Sequence, residues 1–417
     1  MVETRDSQSV DTFEARLPVW RRPRILSLLA IAVCAELGYA VLNISAMPPY
    51  LYLELGVSPK FIALIVTVFL VSEAVFKQFM GQLGDRNGRR TMLIVAPIIS
   101  VFTALLSAVT HHAWGFVLLR IADGIGAAMI WPNAFAAVGG AVTKEERAEA
   151  LSALNMCYWL GIALGPFLDG LVVNFTGMRV TSFYLVALLF AVASFVAWRW
   201  VPADGRQRPV VTSDGIEEPN RIPKPAELLA IMREVPGHML LSMLTFIGIG
   251  LPTTMVKLYA HKALKISDLE FGAIVLPAAV AMAVLSMPMG RMVERVGRPA
   301  SVRIGLLAGA AGLWVIAFTL NKWVLALAGS IVGLGFILAI PAWLALVSDI
   351  DEKRRGSFLG AIQTAQGVGA VMGAPLGGLL FEKVSLNAPF VGTAIALSVA
   401  ALVSFVVIRS PRPSTHD

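Results

Sequence analysis

The sequence predicts an all-α polytopic membrane protein, with twelve transmembrane helices in two pseudo-symmetric six-helix bundles. Three observations lead there. The 417 residues are 57% hydrophobic and only 15% charged, against about 25% charged in a soluble domain, and the mean hydropathy is +0.74. The apolar residues gather in runs long enough to cross a bilayer, where ~20 residues rising ~1.5 Å each span a ~30 Å hydrocarbon core. The second half of the chain repeats spaced residues of the first.

The runs lie near 25–51, 60–83, 91–110, 114–137, 149–174, 180–201, 237–258, 268–290, 300–320, 323–347, 357–381 and 388–408. An even number returns both termini to one side. Basic residues choose the side. They cluster in the tail up to Arg24, at Arg86, Arg89 and Arg90, at Lys144 and Arg147, from Arg199 to Arg233, from Arg291 to Arg303, at 353–355, and at Arg409 and Arg412. The intervening links hold only Lys60, Arg179, Lys262, Lys265, Lys322 and Lys383. Basic links stay inside, so both termini are expected in the cytosol and the protein in the plasma (inner) membrane. Residues 1–23 are polar and the first run exceeds a signal-peptide core, so no cleaved leader is expected.

The expected order is a cytosolic tail (1–24), a six-helix bundle (25–201), a linker (202–235), a second bundle (236–409) and a short cytosolic tail (410–417). The linker is rich in Pro and charge and lacks the apolar residues to bury itself. Within it, the segment starting at Pro225 can begin a short interfacial helix.

The net charge of +7 is spread over links rather than interleaved with aromatics on one patch, so nucleic acid is not an expected partner. Cys34 and Cys157 sit inside apolar runs and read as packing residues, with no disulfide framework or metal spacing. No phosphate-cradling loop, zinc-protease spacing or nucleophile motif is present. None of the five histidines, His111, His112, His238, His261 and His416, lies mid-span with a metal partner. No enzyme activity, cofactor or metal is expected.

The repeat is read by adding 209. Gly81 falls on Gly290, Asp85 on Glu294, Arg86 on Arg295, Gly88 on Gly297 and Arg89 on Arg298. The same shift carries Gly124, Gly126 and Pro132 onto Gly333, Gly335 and Pro341; a shift of 208 carries Arg147, Gly161 and Gly165 onto Arg355, Gly369 and Gly373. Internal repeats of this kind build transporter folds, with substrate held between the halves.

The block from Gly81 through Asp85, Arg86, Gly88 and Arg89 to Arg90 resembles the signature loop of the major facilitator superfamily. Arg120 with Gly124 and Gly126 resembles that family's Arg-Gly motif. Gly161, Gly165, Pro166 and Gly170 resemble the Gly-Pro motif of its twelve-span drug:proton antiporters, with Asp169 standing where a Gly is usual. The resemblance implies a conformational latch made by Gly81, Asp85, Arg86, Gly88 and Arg89, with Glu294 and Arg298 as their counterparts. Asp85 would face the start of the eleventh span near Ser357, where a helix N-terminus favours an acid; Arg89 would pair with acids on the cytosolic side. Gly161, Gly165 and Pro166, with Gly369 and Gly373, read as close-packing surfaces at which Pro166 permits a bend.

Charges inside the membrane cost at least a few kcal/mol at its centre and usually face a cavity or partner. Glu36 lies ~16 Å into the first span by helical rise. Arg120 and Asp123 share one face of the fourth. The resemblance places those spans together around a central cavity, so Glu36 is expected to titrate with Arg120 as its charge partner. Burial favours the neutral carboxyl and a guanidinium favours the carboxylate; that competition can couple proton and substrate, whereas a fixed ion pair would be purely structural. Tyr39 and Asn43 share the Glu36 face. Glu73 and Lys77 read as a helical ion pair. Asp169 and Lys257 read as interfacial residues or as parts of an outer gate. Trp131, Asn133, Tyr158 and Trp159 suit a cavity taking an apolar or cationic compound, or ordinary packing. Trp198 and Trp200 suit an interfacial belt.

The expected function is secondary active transport by alternating access: proton-coupled efflux of lipophilic or cationic small molecules. The alternative is a proton-coupled carrier of a specific metabolite or amphipathic lipid. A non-transporting membrane sensor would need a soluble domain or a disrupted latch. The partners expected are a small-molecule substrate, protons and membrane lipids, and a monomer suffices for this architecture.

Overall fold

The computed structural model describes residues 18–143, 146–202, 211–212, 215–216, 225–350 and 355–408. Most of both tails and of the linker, together with the Glu294 and Ser357 side chains, lies outside the described residues.

The first bundle runs α1 (Pro23–Glu54), α2 (Pro59–Asn87), α3 (Arg89–Val109), α4 (Ala113–Gly140), α5 (Arg147–Thr176) and α6 (Thr181–Trp200). A two-residue antiparallel pair, β1 (Val211–Thr212) and β2 (Gly215–Ile216), lies in the linker. The expected short helix there is α7 (Pro225–Glu234). The second bundle runs α8 (Pro236–Thr253), α9 (Val256–Leu264), α10 (Asp268–Val296), α11 (Arg298–Phe318), α12 (Lys322–Ser348), α13 (Arg355–Lys383) and α14 (Ala388–Val407).

Among the described residues, ten single helices are long and apolar enough to cross a membrane, and α8 with α9, bent by 45°, makes an eleventh span. The 29-residue α10 fills the remaining place in the order of twelve. By contacts the chain divides into two units, residues 1–46 with 71–221 and residues 47–70 with 222–417.

Each unit repeats one packing scheme. In the first, α1 packs on α5 and α6, and α3 on α4 and α6. In the second, α8 packs on α13 and α14, and α11 on α12 and α14. The register repeats too. A Cβ at Gly126 would stand 3.3 Å from the Ala96 carbonyl oxygen and 3.2 Å from Ser100 Oγ; one at Gly335 would stand 2.6 Å from the Gly305 carbonyl oxygen and 3.1 Å from Gly309 N. Ala96 and Ser100 plus 209 are Gly305 and Gly309. Gly88 and Gly297, also 209 apart, cap α3 and α11 at φ of 92° and 89°. Such a backbone is open to Gly and strained for other residues.

Helix ends follow local chemistry. Ser267 and Glu270 form a reciprocal capping box at α10, which satisfies two otherwise orphan N–H groups. The Asn321 side chain accepts from the N–H groups of Trp323 and Val324 at the start of α12. Two spans lose α-helical regularity in their later halves. In α1 the turns Val41–Ala46 and Tyr50–Glu54 are π-helical around Pro48 and Pro49, and in α9 Ala260–Leu264 is π-helical. In α1, prolines that cannot donate favour such local widening. Within the second unit, Lys262 Nζ lies 4.2 Å from the Tyr52 ring centroid.

Candidate functional site

Two fully buried charges of the first bundle sit together on α4. Arg120 Nη2 and Asp123 Oδ2 are 2.7 Å apart, with both side chains 0% exposed. The other Asp123 oxygen accepts from Thr103 Oγ1 at 2.8 Å. Ser100, one turn earlier on α3, pairs through its Oγ with the Tyr39 hydroxyl at 3.1 Å. Ser100, Thr103 and Ser107 fall at i, i+3 and i+7, on one face of α3, and all three are buried. A polar thread therefore links α1, α3 and α4 through otherwise apolar surroundings. Gly126 lets α3 and α4 come close enough to form it. The Arg120 contact with Asp123 neutralises charge, yet the Arg120 Nε, Nη1 and Nη2 atoms make no well-aligned hydrogen bond among the described residues. A guanidinium carries five donors, so this buried group keeps donor capacity.

Glu36 lies on α1, one turn before Tyr39. It is 7% exposed. The sequence pointed to Arg120 as its partner, and the structure corrects this: Arg120 is paired with Asp123. The reason is local. Asp123 stands one turn away on the same helix, so the pair forms whatever the packing of α1. The charged groups that act on Glu36 are Glu73 and Lys77 of α2, themselves joined at 3.3 Å as the expected i,i+4 pair. Among the described residues no hydrogen bond or ion pair of Glu36 forms.

The Gly-Pro segment of α5 packs on α1 at this carboxyl group. A Cβ at Gly161 would meet Glu36 Cβ at 2.5 Å and Cγ at 2.7 Å; one at Gly165 would meet Ala40 Cβ at 2.7 Å. In the second bundle, a Cβ at Gly369 would meet the Met243 carbonyl oxygen at 2.5 Å and one at Gly373 would come 2.9 Å from Gly250 Cα. Tyr158, one turn before Gly161, is within electrostatic reach of Glu36. Its ring meets Trp131 edge-on at 5.0 Å and Trp159 at 5.6 Å; Trp131 in turn meets Phe135 at 6.1 Å. Pro166 lies inside α5. Asn43, half-buried in the π-helical part of α1, has an Oδ1 with no hydrogen-bond partner among the described residues.

The loop between α2 and α3 is pinned locally. Arg89 Nη2 donates to Asp85 Oδ1 at 3.1 Å, and its Nη1 donates to the Ala136 carbonyl at 2.8 Å. The latch expectation gives Arg89 acids on the cytosolic side; one partner among the described residues is Asp85, one turn back. Arg298, its counterpart, pairs with Asp349 at the end of α12. Gly81 touches Pro132 at Cβ distance 3.4 Å, Arg86 is exposed, and the expected Asp85 position near Ser357 lies outside the described residues.

The sequence singled out Asp169 and Lys257 as interfacial or gate residues but gave no signal for their partners. Asp169 is fully buried and accepts from Ser45 Oγ in the π-helical part of α1. Lys257 is buried and reaches Asp268 at 2.7 Å, with His261 at 3.1 Å from the same oxygen. Neither Ser45 nor Asp268 stands out in its run, since a single polar residue has no period.

Comparison with known proteins follows this geometry. The profile of the Major Facilitator Superfamily matches residues 28–236 and 238–417. The chain is 24% identical over 387 residues to "Multidrug resistance protein 2" of Bacillus subtilis (strain 168), covering 91% of this chain and 94% of that protein. It is 26% identical over 399 residues to "Multidrug resistance protein MdtG" of Yersinia enterocolitica, covering 93% of each. Among solved structures, nucleoside transporter NupG superposes with a TM-score of 0.70 at 13% identity, covering 92% of this chain and 98% of that one. A bacterial homolog of the human lysosomal transporter Spinster superposes at 0.74 and 14%, covering 93% and 97%. The human organic anion transporter MFSD10 superposes at 0.65 and 15%, covering 93% and 100%. Profile, repeat and fold converge: this chain is an integral membrane transporter belonging to the Major Facilitator Superfamily.

Proposed function

We propose that the protein exports lipophilic or cationic small molecules in exchange for protons, by alternating access, with Glu36 as the proton-carrying group. The observation that carries this reading is the Glu36 environment. A carboxyl group in the membrane, 7% exposed, has no ion-pair partner among the described residues and sits beside the aromatic cluster of Tyr158, Trp131 and Trp159. An acid with no fixed counter-ion can gain and lose a proton as its surroundings change. Aromatic faces attract organic cations. The multidrug-resistance names of the sequence relatives support the same reading.

In this reading Arg120, Asp123 and Tyr39 form the fixed polar thread behind the site. Asn43 offers a further acceptor, and the Asp85–Arg89 pair, with Gly81, Arg86, Gly88, Glu294 and Arg298, belongs to the conformational latch. The test uses inside-out vesicles with an imposed proton gradient and a panel of lipophilic cations. Gradient-dependent uptake of at least one member supports export. A folded protein that moves none of them, yet carries nucleosides or organic anions, sinks the reading and favours a specific metabolite carrier.

A further inference from the structure

A cleft of 620 Å³ opens at one end of the first bundle, between the start of α1, the start of α3 and the ends of α4 and α6. Its lining includes Arg22, Arg24, Arg90 and Arg199 and, among the described residues, no acidic side chain. These arginines come from three separate stretches of chain. Orientation during membrane insertion accounts for basic residues in each link, but it does not require them to converge on one cavity.

One of the four, Arg199, is exposed to an anion, and Arg90 adds its charge from the wall of the cleft. Arg90 donates through Nη2 to the Trp198 carbonyl at 2.5 Å, while its Nε is buried without a hydrogen-bond partner among the described residues. Arg199 is exposed and lies 5.5 Å from the centroid of the Trp200 ring. Arg22 is committed differently, in a bidentate pair with Glu146 at 2.5 and 2.9 Å, which fixes one wall. Beside the cleft the surface is apolar and aromatic: Trp200 of the lining meets the Phe195 ring at 5.8 Å, Phe195 meets Trp198 at 6.0 Å, and all three, with Trp20 and Leu26 flanking the lining residues of α1 in sequence, are exposed large side chains. Tryptophans of this kind sit at headgroup depth.

We propose that this cleft binds the phosphate of an anionic membrane phospholipid, with the acyl chains lying against the exposed apolar rim. Basic pockets between membrane helices recognise such headgroups, and the forked guanidinium suits phosphate oxygens better than an ammonium does. A free phosphate shares the headgroup chemistry, but it would make no use of the aromatic rim. This site is separate from the Glu36 region and does not depend on the transport reading.

The test is native mass spectrometry of the purified full-length chain in detergent. Phosphatidylglycerol and phosphatidylcholine with the same acyl chains are titrated, and inorganic phosphate is added as a competitor. The expected result is one phosphatidylglycerol retained at least tenfold more tightly than phosphatidylcholine. Arg199→Gln should weaken it about fivefold, near the ~1 kcal/mol that one basic residue contributes, and Arg24→Gln with Arg199→Gln should weaken it further. Arg199→Lys should recover part of the loss. Because Arg199 makes no ion pair among the described residues, its variants serve even if Arg90→Gln fails to fold. Equal retention of the two lipids, unchanged binding in the Arg199→Gln protein, or displacement by millimolar inorganic phosphate would each overturn the proposal.

Discussion

Gly161 of α5 occupies the place that keeps Glu36 against the α1–α5 contact: a methyl group added there would lie 2.5 Å from Glu36 Cβ. That single relationship joins a packing motif to a membrane carboxyl group. Helix approach in membranes depends on small residues at such contacts, so the motif and the acid form one unit.

The first prediction concerns that contact. Gly161→Ala should lower the melting temperature, because overpacking costs about 1–3 kcal/mol, and should reduce transport more than it reduces stability. Gly161→Leu should abolish folding or transport altogether. Fluorescence-detected melting beside vesicle uptake checks both; wild-type transport in Gly161→Leu would show that the contact is dispensable.

The Arg120–Asp123 pair yields a second. Removing one partner of a buried ion pair costs about 3–5 kcal/mol, so Arg120→Leu and Asp123→Leu should each destabilise strongly. The double apolar variant should recover much of the stability, since no lone charge is left behind. If transport recovers with it, the pair is structural; the account expects stability without transport, as the thread from Tyr39 to Asp123 would be cut.

Backbone handedness gives a third. Gly88→Ala and Gly297→Ala place a side chain at φ near 90°, a strain of roughly 1–3 kcal/mol at each position. Similar losses in melting temperature from both variants would reflect the repeat. A change in only one would mean that the two turns are stressed differently.

Acid sensitivity gives a fourth. The Arg22 guanidinium holds the Glu146 carboxyl down to about 2, from an ordinary 4.5. A depressed carboxylate pKa means that the contribution of the pair is whole above the ordinary value and fades as pH falls through about 2. Wild type should therefore lose melting temperature between pH 4.5 and 2 more steeply than Glu146→Gln does. Parallel curves for the two proteins would remove Glu146 from the acid response.

Much of this architecture is legible in the sequence, because a lipid environment allows few choices. The twelve apolar runs and the 209-residue shift from Gly88 to Gly297 needed no coordinates. The site was less legible. The sequence placed Arg120 and Asp123 on one face, yet gave Arg120 to Glu36, because spacing along a chain cannot rank a neighbour on the same helix against one on another. Ser100 and Thr103 escaped notice, since two hydroxyls in an apolar helix look like ordinary filler until Tyr39 and Asp123 are seen against them. The Arg22–Glu146 pair, 124 residues apart, has no local signature. The same holds for the π-helical turn that presents Ser45 to Asp169.

The central claim is that Glu36 couples protons to export. The most direct measurement reconstitutes Glu36→Gln and wild type in proteoliposomes and compares two modes with one exported cation: gradient-driven uphill movement and gradient-free counterflow. The account predicts that Glu36→Gln loses uphill movement and keeps counterflow. Uphill movement at the wild-type rate in Glu36→Gln would contradict it and pass the role to another membrane acid, Asp123 or Glu73.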